Sequence, residues 1–161
     1  MFETVERFTE TWLEESRSTR KVLLAVPDEM LEIRLHPKAK SVGGLAWHLV
    51  TAITEITKHV GLTGLGPGNE TEMPSIASRI ADAHTEASRA LVDTIRNDWS
   101  DATLQVIDDV YGYRWPRSRT MGILLTHEIH HRGQLTAMLR IGGAKVPGVY
   151  GPSSDSAWED G

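Results

Sequence analysis

The chain has 161 residues, 40% of them hydrophobic and 24% charged, with a formal net charge of -5 and no cysteine. That length supports a core of its own as a single domain, and the missing cysteines exclude disulfides and thiolate metal ligands. No basic block exceeds Arg17-Ser-Thr-Arg-Lys21 and no apolar run approaches the roughly 20 residues that cross a bilayer, so the expected partner is a small molecule, not nucleic acid or a membrane.

From Glu3 to about Val26, residues Val5, Phe8, Trp12 and Val22-Leu23 recur at helical spacing with charges between them, which predicts a first amphipathic helix closed by Pro27. The charged stretch Met1–Arg7 lacks the basic-then-apolar order of a signal peptide, and the expectation is a cytoplasmic protein. A connector follows to Lys40, with a short turn expected at Asp28–Leu31. Ser41 is an N-cap residue for a second helix to about Val60, stopped by Gly61 and Gly64. Leu45, His48, Ala52 and Glu55 share one of its faces.

Residues 62–73 are rich in glycine and predict a loop long enough to cross the end of a bundle and return parallel. Pro74 opens a third helix to about Asn97, with a stripe at Ile76, Ile80, Ala83/His84, Ala87, Leu91 and Ile95. In residues 99–116, a connector, Gln105–Val110 and Tyr111–Trp115 are expected to pair as short strands or simply to wrap the bundle. A fourth helix starts near Pro116–Thr120 and ends at Gly142-Gly143, followed by a Pro/Gly/Ser tail, residues 145–161. Four apolar-striped helices without a core strand predict an all-α four-helix bundle.

The fourth helix carries Thr126-His-Glu-Ile-His-His-Arg-Gly-Gln-Leu135. Residues four apart share a helix face, so His127 and His131 project together, and Leu124, Leu135 and Met138 at matching spacing predict that they point at the core. Imidazoles buried without partners are costly, and a pair at this spacing suits a metal. His48 of the second helix would complete a three-histidine set with an open coordination position. His130, three residues from His127, fits the spacing as well as His131 does. His84 reads as a buried histidine bonded to a neighbour, and His36 and His59 as surface or loop residues. Glu55 and Gln134 are candidates to orient the imidazoles. Glu128 is expected on the flank of the helix, Arg132 at the surface or a dimer seam, and Gly133 at a close helix contact. His127-Glu-Ile-His-His131 also satisfies H-E-x-x-H, the zinc-protease pattern. The longer H-E-x-x-H-x-x-G-x-x-H form is missing, because nothing of that pattern follows His131, and Glu159 is the only glutamate beyond it.

The segments Gly122-Ile-Leu-Leu-Thr-His-Glu-Ile-His-His-Arg-Gly-Gln-Leu135 and Gly44-Leu-Ala-Trp-His-Leu49 resemble the DinB/YfiT-like family of metalloenzymes. The resemblance implies a bundle of up-down-down-up order, a divalent metal (zinc or nickel, with iron also suited to imidazole) held by His48, His127 and His131, and a homodimer. It selects His131 over His130. It also implies chemistry with a low-molecular-weight thiol, as in a metal-dependent transferase or hydrolase. The contrasting expectation is a dimeric, stress-associated metal-binding protein without turnover.

Overall fold

A computed structural model describes residues 2–156. Its first helix, α1, spans Val5–Leu24, with the Thr4 side chain accepting from the Arg7 amide. A 3-10 turn at Asp28–Met30 follows, then α2 at Val42–Thr57, whose first turn is capped by Ser41. Helix α3 spans Ala77–Asp98 and α4 spans Arg117–Ile141. Between them lie a 3-10 turn at Asp101–Gln105 and an antiparallel hairpin, β1 (Ile107–Val110) and β2 (Tyr113–Pro116), with Val110 opposite Tyr113.

The predicted helix starts and stops agree with these spans to within a few residues, for local reasons. The second helix stops three residues early because the chain tightens into a 3-10 turn at Lys58–Val60 before Gly61 at φ +80°. The third begins after Pro74 because its cap comes from far away: Asp28 Oδ1 accepts from the Ala77 amide at 2.7 Å. Ile76, assigned to the core stripe from its spacing, stands outside that first turn and is 47% exposed. The tail is described as far as Ser156; residues 157–161, Glu159 among them, lie outside the described residues.

Helix α1 packs on α3 and α4, and α2 on the same two. One apolar layer joins the end of α1 (Val22, Leu23), the starts of α2 and α3 (Leu45, Leu49, Ile80) and the end of α4 (Leu135, Leu139). The other joins the start of α1 (Phe8, Trp12), the ends of α2 and α3 (Ile53, Leu91, Ile95) and the start of α4 (Met121, Leu124). Helices α1 and α4 therefore run one way and α2 and α3 the other, which is the up-down-down-up order of an all-α four-helix bundle.

A buried polar layer separates the two apolar ones: Ser16 and Thr19 of α1, Thr51 of α2, His84 and Ser88 of α3, Glu128 and Arg132 of α4. A buried charge is tolerated only when paired and hydrogen-bonded, and both charged residues meet that condition. The His84 ring donates through Nε2 to Glu128 Oε1 at 2.7 Å. Arg132 donates to the Glu15 carbonyl at 3.0 Å, to Glu15 Oε2 at 2.6 Å and to the Tyr150 hydroxyl, which itself donates to Glu15 Oε2 at 2.7 Å. Two expectations are corrected here: Glu128 is not a flank residue and Arg132 is not at the surface. Helix 4 turns its charged side chains inward because partners on α1, α3 and the tail wait for them. Gly133 faces solvent with open space around it and makes no close contact.

Arg132→Ala should cost about 3–5 kcal/mol, since it leaves the Glu15 carboxylate without its cation, whereas Ile76→Ala should stay within about 0.5 kcal/mol. Urea unfolding of the two variants checks the contrast.

Candidate metal centre

With Glu128 and Arg132 on the core face of α4, His127 and His131 fall one position earlier, on the side turned to α2. This corrects the expectation that they point at the core: both are half-buried, and the apolar residues beside them belong to the adjoining face. Across from them, α2 presents His48. One nitrogen from each of His48, His127 and His131 lies within 4.8 Å of the others, a group that could hold a metal ion. The rings meet edge to face, with centroids 4.4–5.1 Å apart.

The donor set fits a divalent cation. His127 Nε2 and His48 Nε2 face each other at 3.0 Å, close to the roughly 3.3 Å separating nitrogens in a tetrahedral site with bonds of about 2.0–2.1 Å. Gln134 Oε1 accepts from His131 Nδ1 at 2.7 Å, which fixes that ring's tautomer and leaves Nε2 with a free lone pair. Burial, then the neighbouring His131, Lys40 and His127, lowers His48 from 6.5 to about 4. Burial and His131 likewise lower His127. Both rings are therefore neutral at pH 7, the form that binds metal.

The remaining histidines separate cleanly. His130 is exposed and accepts from Gln134 Nε2 at 3.0 Å, outside the convergent group. His84 is buried against Glu128, as expected of a core histidine. His36 is exposed and accepts from the Lys38 amide. His59 is half-buried rather than on the surface, its ring 4.3 Å from that of Tyr111. Gln134 thus orients an imidazole. Glu55 instead accepts from Asn69 Nδ2 at 2.6 Å. The glutamate of the H-E-x-x-H match is Glu128, committed to His84 in the core and so not placed to serve as a base beside the metal ligands.

Two cavities lie beside the trio: His48 and Glu55 line both, His127 lines the first, and His131 lines neither. An apolar slot of about 200 Å³ is walled by Ala52 and Ile56 of α2, Val110, Tyr111 and Trp115 of the hairpin, and Ile123 of α4. A polar shelf of about 300 Å³ on the other side is lined by Lys40, Thr51, Glu55 and Asn69. Trp47 Nε1, donating to the Thr71 carbonyl at 3.0 Å, ties the Gly-rich loop over that shelf. The hairpin is braced by a bidentate Arg117–Asp108 pair and by Trp115 Nε1 donating to Thr120 Oγ1. The structure selects the paired strands from the two readings of this connector, and sequence reasoning assigned them no role. Their contribution to the site, like that of Arg132 to the rotation of α4, arises only when distant segments meet.

Residues 1–160 match the model of the DinB family. The chain is 36% identical over 155 residues to the uncharacterized protein YrdA of Bacillus subtilis (strain 168), an alignment covering 96% of this chain and 93% of YrdA. Its fold is similar to the crystal structure of a DinB-like protein from Bacillus cereus ATCC 10987, with a TM-score of 0.88 and 37% identity over 93% of this chain and all of the other. A DinB-like protein of Bacillus subtilis, YjoA, shares the fold alone: TM-score 0.70 at 15% identity, over 89% of this chain and 97% of YjoA.

Between pH 6.5 and about 4 the unfolded chain binds more protons at position 48 than the folded one, so stability must fall with pH across that window. Metal-free protein should lose unfolding midpoint steadily between those values, and His48→Asn should flatten the slope; thermal melts in a pH series read both.

Proposed function

This chain belongs to the DinB family, and on that premise we propose that it is a divalent-metal-dependent enzyme, a transferase or hydrolase acting on a small molecule. The observation that carries the reading is that the three convergent imidazoles lie at the edge of cavities lined by two of them, His48 and His127, so that a metal held by the three nitrogens would have a coordination position open to a cleft. A purely structural ion would be better served by a closed shell. A metal there acts as a Lewis acid that lowers the pKa of a bound water or thiol.

The residues of this chain supply the rest. His48, His127 and His131 are the ligands in this reading, with zinc or nickel as the metal and iron also suited to the donors. Gln134 holds His131 in the tautomer that offers Nε2. The slot and the shelf sort the apolar and polar parts of a bound molecule, and Lys40 places positive charge on the shelf. Because the chain has no cysteine, a thiol in the reaction has to come from a low-molecular-weight co-substrate. The setting of this reading is a cytoplasmic homodimer.

Metal analysis of the purified protein should find about one ion per chain, and His48→Ala and His131→Ala should each fall well below that. Full metal content in either variant would remove that histidine from the site. Transfer of a thiol to a small electrophile should stop on chelation and return with one divalent ion. Activity indifferent to a chelator would contradict the enzyme reading.

A further inference from the structure

We propose that the slot beside His48 and His127 receives an aromatic or similarly apolar portion of the molecule that ligates the metal, and that Tyr111 determines this preference. The inference rests on the metal-centre reading above and adds the chemical class of the ligand to it.

The argument starts from the backbone. Tyr111 is the one non-glycine residue at positive φ among the described residues, at +55°, followed by Gly112 at +81°. A two-residue hairpin turn with both central residues at positive φ favours asparagine, aspartate or glycine in the first position. A tyrosine there is held in a conformation that L side chains resist. Burial does not offset that cost, because Tyr111 is 60% exposed, and its hydroxyl finds no hydrogen-bond partner among the described residues.

What the conformation does accomplish is placement. The turn sets the Tyr111 ring against the ring of His59, 4.3 Å between centroids, and at the wall of the slot that His48 and His127 close on the other side. Backbone strain at a pocket beside candidate ligands, set against only the one ring contact with His59, points to a functional position. Around the Tyr111 ring the slot is mostly aliphatic and aromatic, with Ala52, Ile56, Val110, Trp115 and Ile123 beside the polar side chains of Glu55 and Thr120. A group lodged there exchanges water for apolar contact, while the charged end of the same molecule reaches the metal or the shelf.

Two probes with the same metal-binding head isolate the effect: acetohydroxamate and benzohydroxamate, titrated into cobalt-loaded protein and followed by the visible spectrum of the ion. Burial of the phenyl ring should make benzohydroxamate bind about tenfold tighter or more. Tyr111→Asn should cut that preference about threefold or more, with cobalt content unchanged and a thermal midpoint equal to or above that of the natural chain, because asparagine tolerates positive φ. Tyr111→Phe should keep the preference, since the ring and not the hydroxyl forms the wall. Equal affinities in the natural chain, a preference undiminished in Tyr111→Asn, or its loss in Tyr111→Phe would each overturn the inference. A chain that takes up no cobalt before any hydroxamate is added would overturn the metal centre itself, and this inference with it.

Discussion

The rotation of α4 about its own axis is the constraint on which the rest of the structure depends. Two charged side chains on its inner face, Glu128 against His84 and Arg132 against Glu15, fix that rotation. Successive helix residues are separated by roughly 100°. Turning α4 by one position would bring the imidazoles inward and leave a carboxylate and a guanidinium without their partners. Desolvated charges without counter-charges cost several kcal/mol, far more than a shift in apolar contacts would return. The bundle thus settles with its charges in the polar middle layer and with His127 and His131 at its edge, opposite His48.

That edge is a favourable place for a reactive metal. Deep in the core the site would be closed to substrate, and on an open surface it would be flooded by water and its ligands left mobile. Here the candidate ligands sit on two long helices, which restricts their motion, and Gln134 holds one ring from behind. The hairpin and the Gly-rich loop, two of the three connectors between the helices, each line one of the cavities beside the site. Tyr150 and Glu15 extend the same control outward: through their bonds to Arg132, the tail and α1 help to hold the helix that carries two of the three imidazoles.

The fold was legible because its signals are local. Ser41, Pro27 and the apolar periods of α1 to α3 each act within a few residues of themselves, and the three histidines stood out by spacing and by family resemblance. The facing of α4 was not legible. Leu124, Leu135 and Met138 are compatible with His127 and His131 on the core side or with Glu128 and Arg132 there, and local pattern favours the less charged choice. The deciding partners are remote: Arg132 meets Glu15 across 117 residues. The hairpin was one of two readings of its connector, and its place at the slot between α2 and α4 exists only in three dimensions.

The central claim is that three imidazoles converge on one metal with a position left open. X-ray absorption spectroscopy of the zinc- or nickel-loaded protein tests it most directly, because imidazole rings give a multiple-scattering pattern that can be counted. The account predicts three imidazoles, with metal–nitrogen distances near 2.0–2.1 Å for zinc, together with at least one exchangeable oxygen donor. A first shell with two imidazoles or fewer, or one filled entirely by protein side chains, would contradict it.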